Sequence, residues 1–149
     1  MFGMRDLSNH IIAVANAAEI NISNLQLQKI MFFVFGRIIS DTEDIEQIPL
    51  AYDLEFRRWS YGPVVEEIYF DYNNFGGRPI IDNSATTVSV FDGYNNGIIH
   101  LLGVDPFILV EATHRLPSWA DFREEIENRD FVPAYTIEDF QREFRRNER

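Results

Sequence analysis

Apolar side chains crowd residues 25–40 on almost every side. Leu25, Leu27, Ile30, Met31, Phe32, Val34, Phe35, Ile38 and Ile39 leave only a narrow polar stripe. A helix that is hydrophobic round most of its circumference is normally the buried centre of a domain. At about 100° per residue, the stripe holds Gln26, Lys29, Gly36, Arg37 and Ser40, with Phe33 among them. It has two readings: Lys29 pairs with a carboxylate from another segment, or the stripe meets a partner. Ser23 and Asn24 are N-cap candidates for this helix. Residues 4–18 predict an earlier helix with a modest stripe of Ile11, Ile12, Ala15 and Ala18, and His10 on its surface.

Period two replaces the helical period over residues 52–58. Tyr52, Leu54 and Phe56 alternate with Asp53, Glu55 and Arg57, which predicts a half-buried strand. The acidic run before it, residues 41–47, reads as a solvated loop. Residues 73–79 are a breaker rich in Asn and Gly. The β-branched run 84–91 is a candidate second strand that would pair with the first. A turn at 92–96 precedes a short apolar helix at 98–102. Asp105 and Pro106 fit an N-cap followed by Pro at the first helical position, opening a helix to His114. Ser118, with Asp121 in the capping-box position, would open a helix bearing Trp119, Phe122 and Ile126. Thr136 with Asp139 repeats that device before a last helix whose buried stripe is Ile137, Phe140 and Phe144. Its Arg-rich end suits the negative end of the helix dipole. The expectation is a mainly α protein with a small β element (α+β). A single compact domain over residues 1–149 would form around the central helix at 25–40.

Between strand and breaker, residues 59–72 read W-S-Y-G-P-V-V-E-E-I-Y-F-D-Y. Gly62 can turn sharply, and Pro63 suits the first position of a helix. Val64, Val65, Ile68, Tyr69 and Tyr72 would then share one face. The opposite face carries Glu66, Glu67, Asp71 and Asn73, with Phe70 in their midst. One reading is a solvated face with a stray aromatic. The other is a partner-binding face anchored by Phe70, since buried aromatics dominate interface energetics.

Composition narrows the chemistry. With 46% hydrophobic and 14% aromatic residues in 149, the chain can fill a core. A net charge of −11 argues against direct nucleic-acid binding, which needs clustered cations, and favours a basic protein partner or solubility. Lys29 is the sole lysine beside twelve arginines, a balance that suits ion pairing at the surface. The absence of cysteine excludes disulfides, thiolate catalysis and Cys-based metal sites. His10, His100 and His114 lack metal-ligand spacing, Gly76–Gly77 opens no phosphate loop, and no nucleophile elbow occurs. His114 reads as a helix-end histidine that caps carbonyls and packs on Trp119; the competing reading is a hydrolase. No secretory pattern opens the chain and no apolar run can span a bilayer. A cytoplasmic protein without cofactor, metal or membrane contact is expected.

Three segments together resemble one family. They are N-L-Q-L-Q-K-I-M-F-F at 24–33, W-S-Y-G-P-V-V-E-E-I-Y at 59–69 and T-H-R-L-P-S-W at 113–119. Their order and content resemble the Panacea domain, the SocA-like or GepA-like phage-associated family, over most of the chain from about residue 5 to 145. Ile30, Met31 and Phe32 depart from the family's Leu-Leu-Tyr, and the segment 79–91 matches nothing in its pattern. The resemblance implies a mostly helical domain that binds and neutralises a cognate toxin without catalysis, often encoded on phages or mobile elements. One branch instead hands its toxin to a protease as an adaptor. It also implies fold-maintaining roles for Leu25, Leu27, Gln28, Lys29, Trp59, Tyr61, Gly62, Pro63, Val64, Thr113, His114 and Trp119. Two surfaces are expected to meet the partner: Glu66, Glu67, Phe70 and Asp71, and the stripe of Gln26, Lys29, Phe33 and Arg37. The charge alone also fits an acidic mimic of DNA that inhibits a nucleic-acid-targeting host defence.

Overall fold

A computed structural model describes residues 1–144. The order is α1 (Met4–Ala17), α2 (Asn24–Asp41), β1 (Phe56–Trp59), β2 (Gly62–Val65), α3 (Glu66–Asp71), α4 (Asn95–Leu102), α5 (Pro106–His114), α6 (Pro117–Ala120), α7 (Arg123–Glu127) and α8 (Ile137–Glu143). The fold is α+β, mainly helical with one two-stranded antiparallel sheet among the described residues.

Helix α2 is the centre that its apolar circumference predicts. Helices α1, α4, α5 and α8 and strand β2 all lean on it. Leu27, Ile30, Met31, Phe32 and Phe35 have no exposed surface. Burying one such side chain stabilises the fold by about 1.5–3 kcal/mol. Beneath α2 lies an aromatic cluster in which Phe140 meets Phe35 at 4.8 Å and Phe32 at 5.2 Å between ring centroids. Ser23 caps α2 reciprocally with Gln26: the Gln26 amide donates to Ser23 Oγ at 3.2 Å, and the Ser23 amide to Gln26 Oε1 at 2.9 Å. Gly36 is needed at the far end, because a Cβ there would run into the Phe144 ring. Asp105 caps α5, and Thr136 with Asp139 caps α8, as the sequence predicts.

Several expectations fail. The strand is Phe56–Trp59 rather than 52–58, and its partner is Gly62–Val65, not 84–91. Trp59 faces Gly62 across the two-residue turn Ser60–Tyr61, so Pro63 sits in β2 opposite Arg58 and the helix begins only at Glu66. Residues 84–91 run as a loop into a 3-10 helix, Ser89–Tyr94. That segment covers α1, so His10 is buried rather than on the surface. Its Nδ1 accepts from the Val88 amide at 2.9 Å and its Nε2 meets Asn95 Oδ1 at 2.7 Å. The misplaced strand and the misplaced histidine thus share one cause. Finally, Pro117 at the first helical position opens the helical stretch one residue before Ser118, with Leu116 as its N-cap, and the stretch runs as two short turns, α6 and α7. Ser118 caps nothing there; its hydroxyl and amide both donate to Glu143. Of the Arg-rich end, Arg142 pairs with Asp139 at 2.6 Å, and residues 145–149 lie outside the described residues.

Candidate functional site

The three motif segments meet at the β1–β2 hairpin. From α2, Gln28 Oε1 accepts the Val65 amide at 2.9 Å, and Lys29 Nζ donates to Pro63 O at 2.8 Å. From α5 and the residues after it, His114 Nε2 meets Ser60 O at 2.9 Å, and Trp119 Nε1 donates to Trp59 O at 2.8 Å. Gly62 adopts φ +100°, a region that L side chains avoid. A Cβ at Gly62 would strike Thr113 Oγ1 and come within 3.1 Å of Lys29 Cε. The hairpin therefore lies flush on α2 and α5, and Leu27, Val64 and Thr113 are buried around the joint. Leu25 is only half-buried.

Lys29 corrects both readings of the polar stripe. It is 0% exposed, so it does not reach a partner, and its hydrogen-bond acceptor among the described residues is the Pro63 carbonyl, not a carboxylate. Burial lowers its pKa to about 7. A neutral amine is the cheaper species there, because a buried cation without a counter-charge costs heavily. The rest of the stripe divides. Gln26 is engaged in the α2 cap. Phe33 is half-buried and Arg37 exposed, and both line an open groove of about 480 Å³ with Tyr94, His100, Leu101 and Phe144.

His114 stacks on the Trp119 indole, as expected of it, at 3.7 Å between ring centroids and 16° between planes. Burial holds its pKa below the usual histidine range; Arg123 and Lys29 push the same way, against the Ser60 carbonyl. The carbonyl it meets belongs to the hairpin turn, not to its own helix. Arg58 is the residue that the sequence pattern missed. Its guanidinium lies between the Phe122 and Tyr135 rings at 4.3 and 4.4 Å. It donates to Ser118 O, to Pro133 O at 2.6 Å and to Asp139 Oδ2 at 3.1 Å. A cation next to a tryptophan was the only local signal, and it does not announce burial.

Above this joint, α3 presents the acidic aromatic face. Phe70 is 60% exposed. Its ring lies 5.8 Å from Tyr69 and 6.5 Å from Trp59, and Trp59 meets Tyr69 edge-on at 5.0 Å. The carboxylates differ in freedom. Glu66 Oε2 accepts the Trp59 indole N–H at 2.9 Å. Asp71 pairs with Arg5 at 3.0 Å. Glu67 is exposed and has no hydrogen-bond or ion-pair partner among the described residues. Tyr61, assigned to fold maintenance by the resemblance, stands 60% exposed at the hairpin turn instead.

Among the described residues no group of three His, Asp or Glu side chains is placed to hold a metal ion, and no helix is long and apolar enough to cross a membrane. The chain is similar to Antitoxin SocA of Caulobacter vibrioides (strain NA1000 / CB15N), with 34% identity over 89 residues. That stretch is 60% of this chain and 44% of the other, so the match spans less than half of the relative's length. No protein-family model matches the chain. No solved structure matches it. The similarity supports a relation to SocA-like antitoxins.

Proposed function

We propose that this chain is a non-enzymatic antitoxin that silences a toxin by direct binding. The observation that carries the reading is the 34% identity to Antitoxin SocA over 60% of the chain. The geometry supports it in a second way. The motif residues lock a hairpin onto two helices. Beside them stands an exposed aromatic with carboxylates around it, the composition of an interface anchor and its rim. On this reading the whole chain works as one unit in the bacterial cytoplasm, and its gene, of phage or prophage origin, neighbours the toxin's. Phe70, Glu67, Glu66 and Asp71 form the principal contact, and Phe33 with Arg37 a second one.

The test is to express the neighbouring open reading frame alone and together with this chain. Growth arrest relieved by the chain, with the two proteins copurifying, is the expected result. A neighbour that is harmless, or whose toxicity the chain leaves untouched, would contradict the reading.

A further inference from the structure

The molecule shows how it accommodates a guanidinium. Arg58 sits between two aromatic rings with the Asp139 carboxylate at 3.1 Å. Arg123 lies over the Trp119 ring at 4.7 Å. Rings supply a negative face to the cation, and the carboxylate supplies the counter-charge.

The surface of α3 repeats this grouping without the cation. Trp59, Tyr69 and Phe70 form a contiguous set of rings with centroid separations of 5.0 to 6.5 Å. Glu66 borders it, fixed by the Trp59 indole, and Glu67 follows it on α3, exposed and without a hydrogen-bond or ion-pair partner among the described residues, with the Arg5 charge acting on it. No cation lies over these three rings among the described residues. Arg5, which reaches α3, is held by Asp71. The net charge of −11 adds long-range attraction for a basic guest.

We propose that the Trp59–Tyr69–Phe70 cluster, with Glu66 and Glu67, receives an arginine side chain presented by a basic segment of the bound protein. This rests on reading the chain as a protein binder and names the chemistry of what it binds. Arginine fits better than lysine, because a planar guanidinium stacks on a ring while pairing with a carboxylate through its edge. Glu66 acts as a positioning residue that holds the indole in the cluster, and Glu67 supplies the open counter-charge.

The two tryptophans give the experiment an internal control. The full chain, labelled with ¹⁵N, is titrated with blocked tetra-arginine, tetra-lysine and tetra-glutamate peptides while both indole N–H signals are followed. Tetra-arginine should shift the Trp59 signal saturably and by more than the Trp119 signal, whose N–H donates to the Trp59 carbonyl. Tetra-lysine should bind more weakly and tetra-glutamate not at all. Phe70→Ala and Glu67→Gln should each weaken tetra-arginine binding about two- to five-fold, with the rest of the amide spectrum preserved. An immobile Trp59 signal, equal movement of both indoles, or unchanged binding by Phe70→Ala would overturn the proposal. If the unaltered chain still relieves toxicity in that case, the arginine receptor alone falls and the antitoxin reading stands. If tetra-arginine binds as described but toxicity is not relieved, the receptor stands and the antitoxin reading falls.

Discussion

The two sides of the β1–β2 hairpin use similar residue types to opposite ends. On the inner side, aromatics and cations are buried, and Gln28, Lys29, Arg58 and the Trp119 indole each have a hydrogen-bond partner. Arg58 is wedged between rings with three acceptors, and Lys29 is spent on one carbonyl. On the outer side, Phe70 faces solvent, and Glu67 has no hydrogen-bond or ion-pair partner among the described residues. The motif residues that look most diagnostic in the sequence mostly belong to the inner side, where they keep the hairpin seated. The residues suited to binding are their less distinctive neighbours on α3. A recognisable motif can thus mark the scaffold of a binding surface and not the surface itself.

The sharpest way to break the contrast is at Arg58. Arg58→Ala should cost about 3 kcal/mol or more of unfolding free energy in urea, because it leaves Asp139 and two carbonyls without their buried partner. Gly62→Ala comes next, at about 1–3 kcal/mol, from strain at φ +100° and the clash with Thr113. An Arg58→Ala protein of unchanged stability would mean that the inner side is not the scaffold.

Lys29 gives a pH signature. Its folded pKa of about 7 lies below the ordinary 10.5, so the unfolded chain binds the extra proton between those values. Stability should therefore rise with pH above about 7 and level off near 10.5, with the full penalty present below 7. Tyr52 and Tyr135, whose buried phenols resist ionisation, act the other way only above about pH 10, where the unfolded chain ionises first. Urea titrations between pH 7 and 9.5 should show the rise in the native chain and a flatter profile in Lys29→Met. Identical profiles would remove the buried amine from the account.

Much of the scaffold was legible in the sequence, and the reasons are local. Helix α2 announces itself because apolar residues surround it, and the Ser23, Asp105 and Thr136 caps are read from adjacent residues. The hairpin was not legible as such. Val64, Val65 and Ile68 are buried at a spacing that suits a helix as well, and each strand is only four residues long. Burial of His10, Lys29 and Arg58 depends on groups 34 to 85 residues away, which no local pattern encodes. On α3 the aromatic-in-acid pattern was visible, and the exposure of Phe70 is a fact of the fold. What the pattern concealed was that Asp71 is paired with Arg5 and Glu66 with the Trp59 indole.

The most direct measurement is made on one variant with two readouts. For Phe70→Ala, affinity for the toxin partner and unfolding free energy are measured side by side. The account predicts a loss of affinity of about tenfold or more and a stability change within about 0.5 kcal/mol. Unchanged affinity, or a stability loss as large as the affinity loss, would contradict it.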